Sequence, residues 1–272
     1  MSLVPMSATV IASVVLWALA TTACAKPSAR PAQAAPSAEL GLKVVRTFPH
    51  DPRAFTQGLL FFQGKLFEST GLYGRSSLRR VDPDSGVVES GVDLPADLFG
   101  EGLARVDGRL VQLTWQSQRA LVWNLSTLHK EREFSYQGEG WGLCFDGRHL
   151  IMSDGSDRLA LRDPESFAKV SEIAVRRAGQ PLRDLNELEC VDGIVYANVW
   201  QDSHIARIDA RTGEVTGWID ASGLLAPEEA RVADVLNGIA YLPATGHLVV
   251  TGKLWPRIFE VEIVPGRTPA AK

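Results

Sequence analysis

The chain has 272 residues, 45% of them hydrophobic and 22% charged, with 24 glycines. That suits one globular domain with a sizeable core. A net charge of −4 with no basic block argues against a nucleic-acid-binding surface.

Met1 to Cys24 holds no charged residue and carries an apolar run, VIASVVLWALA, from Val10 to Ala20. Ala23-Cys24-Ala25 follows, an A-x-A-like cleavage pattern. Residues 1–25 are expected to be an export signal, and 26–39 a Pro/Ala-rich tether. Cys24 either leaves with the signal or carries a lipid, as in a bacterial lipoprotein. The apolar run falls short of the ~20 residues of a membrane span. The expected location is periplasmic or secreted, with or without a lipid anchor.

From residue 40 the chain reads as strands, and one hairpin recurs five times. The units are QGLLFFQGKLFESTG from Gln57, EGLARVDGRLVQLTW from Glu101, WGLCFDGRHLIMSD from Trp141, NELECVDGIVYANVW from Asn186 and NGIAYLPATGHLVVTGK from Asn237. Each turns on a glycine: Gly64, Gly108, Gly147, Gly193 and Gly246. A third apolar strand follows, such as LRRVD from Leu78 or IARID from Ile205. Then come an Asp turn (DPDSG at Asp82, DARTG at Asp209) and a fourth strand (VVESGV, VTGWID). Four strands in roughly 45 residues is the arithmetic of a propeller blade. The fifth unit stops after its third strand, Ile258–Val264, while LKVVRTF, Leu42–Phe48, has no unit of its own. The spacing therefore predicts an all-β, five-bladed β-propeller over 40–265, with the N-terminal strand completing the last blade, and a tail over 266–272.

In such a ring the first strands line the central channel, and hairpin ends equidistant from the turn lie at one mouth. The starts are Gln57, Glu101, Trp141, Asn186 and Asn237; the ends are Gly71, Trp115, Asp154, Trp200 and Lys253. Phe55 and Phe99, two residues before their anchors, add apolar wall. Indole walls with a few placed polar groups suit a small-ligand pocket. Asp154, in SDGS, reads as a turn residue rather than a catalyst, and Asn237 as a satisfied strand end. Glu139 and Glu187 flank anchors, and Glu68 lies inside a hairpin arm. Glu101 and Lys253 stand out, because a channel charge among indoles costs stability unless it is paired or used. None of the five histidines falls on either ring, and no zinc-ligand spacing occurs. No metal or cofactor is expected. Cys144 and Cys190 each lie three residues before their turn glycine. Equivalent residues of neighbouring repeats should point the same way, so two buried thiols are favoured over a disulfide.

Ten motifs in order, AFTQG at Ala54, FESTGLYGRSSLR at Phe67, FGEGL at Phe99, LTW at Leu113, GEGWGL at Gly138, SDGS at Ser153, LNELE at Leu185, ANVW at Ala197, LNGIAY at Leu236 and TGKLWP at Thr251, resemble the plant and bacterial glutaminyl cyclases of the papaya latex type. The resemblance covers about 43–264. It implies a five-bladed propeller that needs no zinc. It also implies conversion of N-terminal glutaminyl residues of peptides and proteins to pyroglutamyl, with release of ammonia. It places the catalytic carboxylate at Glu101, polar pocket groups at Gln57, Asn186 and Lys253, and pocket aromatics at Phe55, Phe99, Trp115, Trp141 and Trp200. The chain is expected to be monomeric. Two other readings stay open: a calcium-dependent propeller lactonase or hydrolase, in which Glu101, Asn186, Asn237 and Asp154 ring an axial cation, and a non-enzymatic ligand-binding propeller.

Overall fold

The computed structural model describes residues 1–2 and 37–266. Residues 3–25 of the expected export signal, with Cys24, the expected tether before Ser37 and the last six residues lie outside them. Among the described residues, no helix is long and apolar enough to cross a membrane.

The described residues are mostly strand, with a single helical turn. After β1 (Ala38–Pro49), the first sheet is β2 (Thr56–Phe62), β3 (Lys65–Thr70), β4 (Ser77–Val81) and β5 (Val88–Asp93). The second is β6 (Gly100–Val106), β7 (Arg109–Thr114), β8 (Arg119–Asn124) and β9 (Lys130–Ser135). The third is β10 (Leu143–Phe145), β11 (Leu150–Met152), β12 (Arg158–Arg162) and β13 (Lys169–Ala174). A small ribbon follows, β14 (Arg176–Arg177) with β15 (Gln180–Pro181). Then come β16 (Leu185–Val191), β17 (Ile194–Val199), β18 (His204–Asp209) and β19 (Val215–Asp220). A connection holding a single helical turn, α1 (Pro227–Ala230), leads to β20 (Leu236–Leu242), β21 (His247–Gly252) and β22 (Arg257–Pro265). Each of the three four-stranded sheets is an antiparallel meander, because each hairpin turn returns the chain beside itself.

β1 joins the two ends of the chain. It pairs antiparallel with β22 from Leu40↔Pro265 to Pro49↔Arg257. Its first residues also pair parallel with β19, Ala38↔Gly217 to Gly41↔Asp220. The resulting eight-stranded sheet runs β16-β17-β18-β19-β1-β22-β21-β20. The strand starts at Ala38, ahead of the Leu42 expected, because β19 offers partners to those extra residues.

The sheets stand around an axis in a propeller-like arrangement. First strands touch in sequence: β2 meets β6, β6 meets β10, β10 meets β16, β16 meets β20, and β20 returns to β2. The core lies between neighbouring sheets. Leu78, Leu94 and Leu98 of one interdigitate with Leu103, Leu110, Leu121 and Trp123 of the next. The axis is tight enough to select glycine. A Cβ on Gly102 would fall 2.5 Å from the Leu143 nitrogen, and one on Gly142 only 1.9 Å from the Asn186 carbonyl oxygen. The fourth repeat has Glu187 at this position. Its buried carboxylate accepts the Leu59 N–H at 3.2 Å and the Ile239 N–H at 2.8 Å, tying three first strands together.

The same proximity overturns the expectation of two free thiols. Cys144 and Cys190 form a disulfide, S–S 2.01 Å and Cα–Cα 5.4 Å. Equivalent positions do point alike on well-separated strands. At the axis, however, β10 and β16 run side by side, and equivalent residues fall within bonding reach. The bond closes a separation of 46 residues, for which chain-entropy arguments give about 4 kcal/mol. Replacing both cysteines by serine should lower the melting temperature by roughly 10 °C. Equal melts for wild type and the double variant would show that the bond contributes nothing.

Candidate active site

Four of the five first strands carry a register shift at their anchor: Thr56/Gly58, Gly100/Leu103, Leu185/Leu188 and Leu236/Ile239. A β-bulge at this point re-aims a side chain out of the strand's ordinary alternation. Gln57, Glu101, Asn186 and Asn237 all sit in these bulges. The hairpin ends use a second device. The residues just after Gly71, Trp200 and Lys253 are Leu72, Gln201 and Leu254, with φ of 87°, 63° and 60°. This left-handed conformation is costly for a side-chain-bearing residue and turns the chain sharply at the mouth.

The result is a cavity of about 510 Å³ on the axis. Phe55, Gln57, Phe99, Glu101, Trp115, Trp141, Asn186, Trp200 and Lys253 all line it, so every expected pocket residue converges there. Asp154 does not line it; its carboxylate accepts the Ser156 N–H at 3.0 Å, as a turn residue. Asn237 stands behind the wall. It donates to the Thr56 carbonyl at 2.9 Å and to Gln57 Oε1 at 3.2 Å. That bond orients the Gln57 amide, whose Nε2 donates to Glu101 Oε1 at 2.9 Å. Glu68 belongs to a separate buried network. His50 Nε2 and Thr56 Oγ1 contact its Oε1 at 2.9 and 2.7 Å, and Arg79 pairs with its other oxygen.

Glu101 and Lys253 are each 5% exposed. Burial pushes the Glu101 carboxyl well above the ordinary carboxylate range; Lys253 opposes this, and Glu139 adds to it. Burial likewise pulls the Lys253 ammonium below its usual value, against the attraction of Glu101 and Asp234. Among the described residues the two form no ion pair within 4.0 Å, and Lys253 Nζ instead lies 4.9 Å from the centre of the Phe55 ring. Glu101 is thus held by an amide and only biased by the ammonium. The Asn186 side-chain oxygen is buried without a hydrogen-bond partner among the described residues.

The aromatic rings form an arc. Phe55 meets Phe99 edge-on at 6.1 Å, Phe99 meets Trp115 at 5.6 Å, and Trp141 meets Trp200 at 5.7 Å. Trp200, 41% exposed, stands at the rim. Leu72, Gln201, Asp234 and Val235 also line the cavity and were absent from the sequence reading. Val235 stands two residues before its anchor, as Phe55 and Phe99 do, so extending that rule to the fifth repeat finds it. The Lys253 N–H donates to the Val235 carbonyl, and the Asp234 N–H to the Lys253 carbonyl, both at 2.9 Å.

A large cavity walled by aromatic rings, holding one buried carboxylate, one buried ammonium and two buried carboxamides, suits a small polar group that must be folded and protonated in place. A family model described as glutamine cyclotransferase matches residues 15–263. The chain is 44% identical over 227 residues to the glutaminyl-peptide cyclotransferase of Arabidopsis thaliana, covering 82% of this chain and 71% of that protein. Among solved structures, the crystal structure of Myxococcus xanthus glutaminyl cyclase matches with a TM-score of 0.76 at 41% identity, covering 84% of this chain and 98% of that one.

Proposed function

The chain belongs to the glutamine cyclotransferase family, and on that premise we propose that it is a glutaminyl-peptide cyclotransferase whose axial pocket closes N-terminal glutaminyl residues to pyroglutamyl. It is an acyltransferase acting on peptides and proteins. The observation that carries the site assignment is the buried Glu101, held 2.9 Å from the Gln57 amide inside an aromatic wall.

The reaction is an intramolecular aminolysis. The free α-amine attacks the γ-carboxamide carbon of its own residue, and the C–N bond to the amide nitrogen breaks. The rings fold the side chain back on the amine by shape, which supplies the proximity the step needs. With an ordinary pKa of about 7.7–8.0, the amine arrives largely protonated near neutral pH. Glu101 takes that proton as a carboxylate and gives it to the departing nitrogen. The attacking nitrogen sheds its second proton as the ring closes, the released ammonia carries that proton off as ammonium, and the carboxylate returns. A carboxyl pushed upward by burial is matched to both halves of this exchange. Lys253, Asn186 and Gln57 carry N–H donors for the oxyanion of the tetrahedral intermediate. No external nucleophile and no metal enters this scheme.

We read the eight-stranded sheet as two blades joined through β1, giving five blades in all. The cycle of five touching first strands supports this count. We read the chain as an exported monomer; the Cys144–Cys190 bond supports an oxidising compartment.

The test is ammonia release from a Gln-initiated peptide by the purified chain, before and after exhaustive chelation. Turnover is expected in both. Loss on chelation that calcium or zinc restores would favour the lactonase or hydrolase reading, and no release in either would leave a binding protein.

A further inference from the structure

We propose that Glu139 is a positioning residue of this pocket: its carboxylate locks the Trp115 and Trp141 indoles together and backs the ring faces that receive the substrate's N-terminal ammonium. The proposal rests on the cyclotransferase reading. Glu139 precedes Trp141 by two residues, the repeat position at which Phe55, Phe99 and Val235 supply apolar wall. A carboxylate there breaks the pattern, and it does not line the cavity.

It turns instead to the indoles. Its Oε2 accepts from Trp115 Nε1 at 2.8 Å and from Trp141 Nε1 at 3.0 Å, while its Oε1 accepts from Gln116 Nε2 at 3.0 Å. The two tryptophans come from different repeats, at the end of one hairpin and the start of the next. Glu139 therefore bridges the two halves of the aromatic arc, Phe55–Phe99–Trp115 on one side and Trp141–Trp200 on the other. Partial burial works against its ionisation, but the bonds from Trp141, Gln116 and Trp115 outweigh it and hold the carboxyl below its usual range. Among the described residues Glu139 makes no ion pair, so its charge is met by N–H dipoles alone.

Two consequences follow for the substrate. Charge-assisted hydrogen bonds are short and directional, so each indole keeps one orientation when the pocket is empty. Donation of the N–H to an anion also leaves the ring faces richer in electrons, and such faces attract a cation. The α-ammonium is the one obligatory cation of an N-terminal glutaminyl substrate. Resting on the indoles, it lies in the same cavity as Glu101, which removes its proton.

The experiment compares wild type, E139Q and E139L in the full chain. Wild-type ammonia release is measured first, so that failure of the cyclotransferase reading is seen separately. E139Q keeps an acceptor but loses the charge; KM should rise roughly 5- to 10-fold with kcat within about 3-fold of wild type. E139L loses the clamp as well; kcat should fall about 10-fold and the near-ultraviolet dichroism of the indoles should change. The charged groups acting on Glu101 are Lys253 and Glu139. In E139Q the limb of the pH–rate profile that belongs to Glu101 should therefore move to lower pH, which a packing role would not cause. Wild-type KM together with an unmoved limb in E139Q overturns the proposal, whether or not E139L folds. An E139L chain with wild-type kinetics and dichroism overturns it too. The dichroism arm judges the clamp even if the chain releases no ammonia.

Discussion

Glu101→Gln should fold normally and lose 10²- to 10⁴-fold in kcat, roughly the worth of a general acid–base group. The variant keeps the size of the side chain, and its amide oxygen still accepts from Gln57 Nε2. It has no proton to exchange with the amine or with the departing nitrogen. KM should move less, because the aromatic rings make most of the contact. The competing role for Glu101 is electrostatic support of Lys253, since burial lowers the ammonium's pKa and Glu101 pulls it back. On that view Lys253→Met should be as damaging as Glu101→Gln, and the double variant no worse than either. The acid–base role predicts instead that Lys253→Met costs less and that the glutamine variant loses the Glu101 limb of its pH–rate profile. Steady-state kinetics of the three variants decide between the two. A folded Glu101→Gln chain with near-normal kcat would remove the mechanism and leave the family assignment standing.

Deleting residues 1–49 should abolish folding, whereas deleting 1–36 should leave the melt unchanged. The longer cut removes β1. Its ladder runs along β22 from Leu40 to Pro49 and along β19 from Ala38 to Gly41. At roughly 0.5–1.5 kcal/mol net per hydrogen bond, a dozen bonds amount to about 10 kcal/mol. That matches the whole stability of an ordinary domain, about 5–15 kcal/mol. The cut also takes Phe48, 6% exposed, from a core it shares with Leu59, Leu66, Val249 and Ile258. Finally, it bares the β19 and β22 edges, which invite aggregation. Circular dichroism melts of the two truncations give the comparison; equal curves would mean that β1 is dispensable.

These expectations were reachable from sequence to different depths. The hairpin repeat is a local pattern, written by alternating apolar residues around a turn glycine. Once the five turns are aligned, both rings of pocket residues follow, because antiparallel pairing keeps positions equidistant from the turn together. Glu101, Lys253, Gln57 and the indoles were legible on those grounds. Glu139 and Val235 stand at the same repeat position, two residues before an anchor, but neither is an aromatic ring that marks a pocket wall by its residue type.

By itself the sequence determined strand periodicity, the repeat, the missing last strand and the chemical character of the mouth. Each depends on neighbours along the chain or on register within one hairpin. Only the tertiary structure decided what happens between repeats. Bulges swing the anchors inward, Glu187 straps β2 and β20 to its own strand, and Glu139 joins indoles of two hairpins. Cys144 meets Cys190 because first strands of neighbouring sheets come nearly backbone to backbone at the axis. Repeat arithmetic treats those strands as equivalent and leaves their separation out. Near an axis that separation becomes small enough for covalent and hydrogen bonds, and it is set by the packing of whole sheets.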